Sequence, residues 1–301
     1  MSETAPRPRR TPLPYLLILP AVLALAFALG YPLLRQVVLS FQEFGLAQQF
    51  GRPPEWVGLD NYRELVTDPY LWRVALRSLV FCLANAALTM VVGVGLALLM
   101  RHMSKPIRIA LQSAMLLAWA MPVVATLTVW EWLFDTQYGT INWLLTRIGL
   151  DYQGHSWLLQ PLSFFFVATV IVVWMSVPFV AFTVYAALTQ VPEDLVEAAE
   201  IDGAGPFQRL RNIVIPSIRP VLLVVGLLQV IWDLRVFTQI YVLQQAGGST
   251  RDTNLLGTYI YRLGIGGGKF GTAAAVAIFM LMLTVILTAP YIRAMLRQEE
   301  D

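Results

Sequence analysis

The chain has 301 residues, of which 57% are hydrophobic and only 13% are charged, and its mean hydropathy is +0.63. Soluble domains carry about twice that share of charged residues, so this composition excludes a soluble protein and indicates a membrane protein. The formal net charge of +2 is small, and the positions of the charges are therefore more informative than their sum. Because Cys82 is the single cysteine, an internal disulfide is excluded.

Six apolar runs follow a polar N-terminal tail at residues 1–12. Each contains roughly 20 residues or more, which is enough to cross ~30 Å of hydrocarbon as an α-helix. Pro122 lies inside the third run, and we predict one continuous span there because membrane helices tolerate proline. The sequence therefore predicts an all-α polytopic protein with six transmembrane helices, a transmembrane domain at residues 13–296 and a short tail at residues 297–301. The predicted spans are about residues 13–40, 76–100, 109–134, 161–188, 220–243 and 272–296.

Basic residues are concentrated near alternate ends of the predicted spans. Three arginines precede the first span, and other basic residues follow the second span or lie between the fourth and fifth: Arg101, Lys105, Arg108, Arg209, Arg211 and Arg219. Lys and Arg near span ends mark the cytoplasmic side of a membrane protein. We therefore predict a multi-pass protein of the cell inner (plasma) membrane with both termini, and the loop at residues 191–220, in the cytoplasm.

The loop at residues 191–220 has the pattern of a helical hairpin. Pro192 can open a helix, and Gly203 and Gly205 can end it because glycine adopts the left-handed backbone of a tight turn. Pro206 can then start a second short helix. Such a hairpin fits a groove on another protein. The alternative is an amphipathic segment on the bilayer surface, but the interleaved acidic residues disfavour it, since surface helices are usually strongly basic.

The order of residues in this loop resembles the EAA loop of bacterial ABC importer permeases. In that family the loop docks on the ATPase subunit, so the resemblance implies a coupling role. Leu210 stands where the family usually has Phe, and it keeps the apolar character of that position. The implied coupling residues are Glu197, Ala198, Ala199, Asp202, Gly203, Ala204, Phe207 and Leu210.

Polar and aromatic residues inside the spans that flank the loop are candidates for a substrate pathway, because polar groups in a membrane are costly and usually functional. In the fifth span they recur at i, i+3, i+4 and i+7, which predicts one shared helix face. Sugars offer hydroxyls to Asp and Gln and apolar ring faces to Trp. The alternative is a hydrogen-bond network that fixes helix packing. The candidates are Met175, Ser176, Phe179, Gln229, Trp232, Asp233 and Val236.

Other segments extend the resemblance over most of the chain. WVGLDNYREL at Trp56–Leu65 resembles the first outer loop of sugar-importer permeases, and Val236–Ile265 resembles their later outer segment. The resemblance is to the counterpart of the larger permease of the maltose system, and it implies the type I ABC importer permease fold. The implied partners are a second homologous permease, ABC ATPase subunits, an extracytoplasmic sugar-binding protein and a sugar.

No covalent chemistry is expected of the chain itself. It lacks a GxxxxGK[ST] phosphate-binding loop, and neither His102 nor His155 lies in a metal-ligand pattern. No cofactor is therefore expected in this chain, and ATP and Mg are expected in the partner ATPase. Nucleic acid is not an expected partner. Three alternatives stay open: an ABC permease for another small solute such as glycerol phosphate or a polyamine, a secondary transporter, and a structural membrane subunit.

Overall fold

The computed structural model describes the backbone of residues 13–298 and the side chains of residues 16–296. The predicted N-terminal tail at residues 1–12 lies outside these residues, as do residues 299–301 of the predicted C-terminal tail. The chain divides into two compact units. Within the described residues, the smaller unit comprises residues 13–67 and 263–278, and the larger unit comprises residues 68–262 and 279–298.

The smaller unit begins with one long apolar helix. Helix α1 (Leu13–Leu25), a π-helical turn (Ala26–Gly30) and helix α2 (Tyr31–Ser40) follow one another without a break. Residues 16–40 of this helix are long and apolar enough to cross a membrane, and none of its most apolar stretch is buried within the chain. A two-stranded antiparallel sheet follows, in which β1 (Gln42–Glu43) pairs with β2 (Glu55–Trp56), together with helices α3 (Leu46–Gln49) and α4 (Asp60–Thr67).

The sequence Leu-Asp-Asn-Tyr at residues 59–62 is hydrogen-bonded to the end of the first span in this unit. Asn61 donates its amide hydrogens to the backbone carbonyls of Ser40 at 2.9 Å and Gln42 at 3.0 Å. The phenol of Tyr62 donates to the hydroxyl of Ser40 at 2.6 Å. Because backbone groups at a helix end need partners, these bonds explain why an Asn-Tyr pair follows the first span.

The larger unit contains both long and short helices. They are α5 (Pro69–His102), α6 (Lys105–Ala120), α7 (Val123–Leu133), α8 (Thr140–Arg147), α9 (Pro161–Leu188), α10 (Glu193–Ile201), α11 (Pro206–Arg209), α12 (Ile215–Leu234), α13 (Thr238–Gln245), α14 (Thr250–Thr253), α15 (Leu256–Tyr261) and most of α16 (Phe270–Gln298). The residues of α16 up to Ile278 belong to the smaller unit. A Cβ at Gly93 of α5 would lie 2.6 Å from the Cβ of Val180 on α9, so only glycine permits this close helix approach.

Two predicted spans need correction. The third is not continuous, because the chain breaks at Met121–Pro122 and the axes of α6 and α7 differ by 102°. Proline disfavours a helical backbone at the residue before it and cannot donate a backbone hydrogen bond, and Met121 accordingly has an extended ψ of 136°. Within the described residues, five helices are long and apolar enough to cross a membrane, or up to six if the bent pair is one span.

The predicted fifth span, at residues 220–243, begins earlier and contains a break. From Pro206 the chain continues through α11, a π-helical segment (Leu210–Val214) and α12, so the second helix of the hairpin is not a separate short helix. The π-helical segment lies just before Pro216, where local widening compensates for the missing N–H of proline. Helix α12 ends at Leu234, and α13 begins at Thr238.

The other spans lie close to their predicted positions. Helix α9 has the predicted bounds, and α16 exceeds its prediction by two residues at each end. Helix α5 begins at Pro69 rather than near residue 76, because Asp68 caps it by accepting a hydrogen bond from the Tyr70 N–H at 2.8 Å. The local cap extends this helix beyond its apolar stretch.

Candidate functional site

The hairpin between α9 and α12 is closed by a glycine turn. Helix α10 ends at Ile201, and Gly203 then has a φ of +81°, which is the left-handed conformation expected for it. Gly205, in contrast, has a φ of −67°, and its N–H donates to the side-chain oxygen of Gln208 at 2.9 Å. Glu200 and Arg209 form an ion pair across the turn. The turn and the ion pair together hold α10 against α11.

Three large apolar side chains of the hairpin are exposed. Phe207 is 71% exposed, Ile201 is 86% exposed, and Leu195 is also exposed. We call these three residues the hairpin face. Ile201 was not among the predicted site residues, although its apolar character at the end of a polar helix was a usable signal. Exposed large apolar side chains on a hairpin are candidates for contact with another protein.

The remaining predicted coupling residues are divided between the two sides of the hairpin. Glu197, Ala198, Asp202 and Gly203 are exposed, whereas Ala199 and Ala204 are half-buried. Leu210 packs inward, against the buried cluster that contains Val214 and Leu188. The substitution of Leu for the usual Phe at this position therefore affects the contact between the hairpin and its own helices. A cavity of about 470 Å³ lies beside it, lined in part by Leu98 and Phe207.

Three aromatic rings meet where α6 approaches α9 and α12, the two helices that enter and leave the hairpin. Phe179 of α9 lies 4.9 Å from Trp232 of α12, between ring centroids, and 6.4 Å from Trp119 of α6. We call these three residues the aromatic face. Trp119 and Trp232 are both exposed within this chain. Trp119 was missed because it lies in an apolar run without a polar neighbour to distinguish it from a residue in contact with lipid.

Methionine and glutamine side chains lie near this face. Met175 and Ser176, which were predicted as pathway residues, are half-buried on α9 one turn before Phe179. The amide of Gln239 donates to the Met175 sulfur at 3.9 Å. Gln239 was not predicted, because it lies beyond the break that ends α12 and sequence periodicity does not extend across such a break.

The structure does not place all four predicted residues of the fifth span on one face. Trp232 is 43% exposed, whereas Gln229 is 0% exposed and Asp233 is 2% exposed. The 100° rotation between adjacent helix positions separates Trp232 from Asp233, and packing against α5 buries Asp233. Val236 lies past the end of α12 and belongs to a buried apolar cluster with Ile240. The shared face was therefore an incorrect prediction for Trp232 and Val236.

Gln229 and Asp233 are buried in α12, which packs against α5. The Cys82 thiol of α5 donates to the Val230 carbonyl at 3.4 Å, which places α5 against the side of α12 that carries both residues. Among the described residues, no hydrogen-bond partner is found for the Gln229 side-chain nitrogen or oxygen, or for Asp233 Oδ2. Asn85 Oδ1 and Thr89 Oγ1 of α5 are likewise buried without a partner among the described residues. Buried polar groups of this kind are usually satisfied by ordered water.

Within the part of the chain that the structure describes, no group of three His, Cys, Asp or Glu side chains is arranged to hold a metal ion. The side chains that distinguish this region are aromatic, amide and carboxylate groups. They can stack on an apolar ring face and exchange hydrogen bonds with hydroxyls, but they do not form a nucleophile–base pair.

The family model described as "binding-protein-dependent transport system inner membrane component" matches residues 89–295. The diacetylchitobiose uptake system permease protein DasB of Streptomyces coelicolor is 44% identical over 96% of this chain and 88% of that protein. The trehalose/maltose transport system permease protein MalF of Thermococcus litoralis is 31% identical over 95% of this chain and 94% of that protein.

Among solved structures, a bacterial ABC transporter for import of the acidic polysaccharide alginate matches with a TM-score of 0.79 and 24% identity, covering 95% of both chains. This likeness establishes the ABC importer permease fold. The family match covers the hairpin, the helices that flank it and the aromatic face. The chain therefore belongs to the family of binding-protein-dependent transport system inner membrane components, and it is a permease subunit of an ABC importer.

Proposed function

We propose that this chain forms half of the translocation pathway of an ATP-driven importer for a small oligosaccharide. The observation that carries the proposal is the aromatic face, in which Phe179, Trp232 and Trp119 lie on three membrane helices. Aromatic rings bind the apolar faces of sugar rings, and polar groups near them can orient hydroxyls. Ser176 and Gln239 supply such polar groups, and the amide of Gln239 contacts Met175. We call these three residues the polar border of the aromatic face.

The sugar is proposed to be a disaccharide with the size of diacetylchitobiose. The support is the 44% identity with a diacetylchitobiose permease over 96% of this chain. A phosphate-bearing substrate would need cationic groups. The aromatic face and its polar border consist of Trp, Phe, Met, Ser and Gln side chains, so they favour a neutral sugar.

The hairpin is proposed to couple this pathway to ATP hydrolysis. Two ATPase subunits, which bind ATP and Mg, would receive the hairpin face in a surface groove. Helices α9 and α12 lead directly from the hairpin to Phe179 and Trp232, so a rigid movement of the hairpin would change the separation of these two rings. The chain itself would catalyse no reaction.

The remaining partners follow from the same proposal. A second homologous permease would supply the other half of the pathway, and an extracytoplasmic sugar-binding protein would deliver the sugar. A solved alginate transporter contains a periplasmic protein bound to an alginate pentasaccharide, which supports this arrangement. We also propose that both termini and the hairpin lie in the cytoplasm, on the basis of the charge distribution.

The test is uptake by proteoliposomes that contain this chain with the second permease, the ATPase and the binding protein. Radiolabelled diacetylchitobiose, maltose and glycerol phosphate are compared with and without internal ATP. ATP-dependent uptake of a disaccharide is expected. Uptake of glycerol phosphate alone, or sugar uptake that is driven by an ion gradient without ATP, would contradict the proposal.

A variant separates coupling from transport capacity. Phe207→Ser removes the large apolar side chain of the hairpin face, which is expected to lower sugar-stimulated ATP hydrolysis by tenfold or more, since an interface anchor contributes about 2 kcal/mol. Leu117→Ser, on an exposed apolar position of α6, is the matched control. Equal ATPase stimulation in both variants would reject the hairpin face as the docking surface.

A further inference from the structure

An apolar groove opens between helices α5, α6 and α9. Its volume is about 660 Å³, and its lining includes Val92 and Leu96 of α5, Leu111 and Met115 of α6, and Val173 and Val177 of α9. Met100, Met115 and Ala181 form a buried cluster beneath it. The groove is distinct from the aromatic face. A sugar would find almost no hydrogen-bond partner in this groove, and an apolar cavity of this kind does not hold ordered water.

One end of the groove is basic. Arg108 precedes Leu111 by one helical turn, so it continues the side of α6 that lines the groove. The guanidinium group of Arg108 lies 5.8 Å from the ring centroid of Tyr185 on α9. Lys105 is exposed at the start of the same helix. An apolar groove therefore leads to two cations, one of which is held in position by an aromatic ring.

These two cations have no acidic partner in the part of the chain that the structure describes. The ion pairs found there are Arg52–Glu55 and Arg209–Glu200. An arginine positioned on an aromatic ring can still direct its N–H groups to a phosphate, which it binds with two parallel hydrogen bonds. The combination of a hydrocarbon groove and an uncompensated cation pair matches an amphiphile with an anionic head.

We propose that this groove binds one anionic glycerophospholipid, with an acyl chain along Leu96, Met115 and Val173 and its phosphate against Arg108 and Lys105. Basic pockets between membrane helices on the cytoplasmic side are sites for anionic lipids, and the charge distribution places Arg108 on that side. The bound chain would fill the space between α6 and α9 next to the break at Pro122. The lipid thereby would support the bent helix pair that carries Trp119.

The site is tested with the purified transporter complex in nanodiscs of phosphatidylcholine and phosphatidylglycerol at equal amounts. After detergent release, native mass spectrometry counts the phospholipid that each complex retains. The wild-type complex is expected to retain about ten times as much phosphatidylglycerol as phosphatidylcholine. One charge-assisted hydrogen bond is enough to produce a preference of this size. Equal retention of the two lipids would overturn the proposal.

Variants identify where the lipid binds. Arg108→Gln is expected to abolish the preference for phosphatidylglycerol, and Arg108→Lys to keep most of it. Ala114→Trp, which fills the groove from an exposed position on α6, is expected to reduce retention of both lipids. Arg147→Gln is the control for loss of a cation elsewhere, because the Arg147 guanidinium lies 4.7 Å from the ring centroid of Trp143. Leu117→Trp is the control for added side-chain bulk on α6.

The melting temperature of each variant is measured in the same samples. If both Arg108 variants fail to fold, Ala114→Trp against Leu117→Trp decides the outcome. Unchanged lipid retention in Ala114→Trp would overturn the proposal. Oxidative cross-linking of Ala114→Cys to a cysteine introduced into an apolar helix of another subunit would also overturn it, because a protein helix would then occupy the groove.

Discussion

The ring of Trp232 meets the ring of Phe179 edge to face, with 4.9 Å between the ring centroids and 64° between the ring planes. The two residues belong to α12 and α9, the helices that leave and enter the hairpin. This contact is therefore the place where a movement of the hairpin and an event in the proposed sugar pathway would affect each other. Its geometry is sensitive to small rotations of either helix, since aromatic pairs prefer defined orientations.

Removing either ring is expected to reduce sugar uptake. Such pairs contribute about 0.5–1.5 kcal/mol beyond their buried area, so Trp232→Ala and Phe179→Ala should each lower uptake by roughly two- to tenfold. The double variant should lose less than the product of the two effects, because the residues act as a pair. Trp132→Ala, on an exposed position of α7 outside these ring contacts, is the control. Fully multiplicative losses would show that the contact has no functional role.

Asp233 allows the pathway and the packing interpretations to be separated. Because its side chain is buried beside Cys82 rather than on the aromatic face, we expect Asp233→Asn to leave uptake within about threefold, or less than ~1 kcal/mol. Asp233→Ala should instead lower the melting temperature of the complex, since it leaves a cavity in the buried packing beside Cys82. Uptake is measured in proteoliposomes and stability by differential scanning fluorimetry. A ten- to hundredfold loss of uptake in Asp233→Asn at unchanged stability would place Asp233 in contact with the sugar, given ~1.4 kcal/mol per tenfold change.

Gly203 and Gly205 form a matched pair in one turn. Gly203 has a φ of +81°, and an added Cβ there would meet no atom within 4 Å, so the cost of Gly203→Ala is confined to the backbone. That cost is about 1–2 kcal/mol for an L-residue in the left-handed region. Gly203→Ala, and more strongly Gly203→Val, should lower sugar-stimulated ATPase activity while membrane insertion persists. Gly205→Ala, at a φ of −67°, should retain activity. The same loss at both positions would argue against the turn as the cause.

The turn at Asp135, which lies outside the membrane spans, is expected to respond locally to acid. Backbone hydrogen bonds from Tyr138 and Gln137 lower the pKa of its carboxyl group below the ordinary value. A depressed folded-state pKa means that the stabilisation is complete above the unfolded-state pKa and disappears as the pH falls through the folded-state pKa. The carboxyl carbon of Asp135, assigned by comparison with Asp135→Asn, should therefore titrate below pH ~3.9 in an NMR titration. Titration at or above that pH would show that the turn does not form.

The sequence by itself determined those features that depend on local physics. Long apolar runs identified the membrane spans because hydrocarbon admits only helices of sufficient length. Gly203 was recognised as a turn residue because its neighbours on either side start and end helices. The bounds of α9 were predicted correctly for the same reason, since Pro161 and the polar residues after Leu188 are local signals. The resemblance of the EAA loop likewise depended on residues that lie close together along the chain.

Tertiary structure decided how these elements meet. Pro122 permitted either a tolerated kink or a break, and the 102° bend between α6 and α7 depends on packing that no local pattern contains. Periodicity identified a polar stretch in α12, but packing against α5 decided that Gln229 and Asp233 are buried while Trp232 remains exposed. Trp119 joins Phe179 only because three helices converge. Residues that are distant along the chain carry no local signal of such a contact, since the free energy that selects it comes from packing between helices rather than within one.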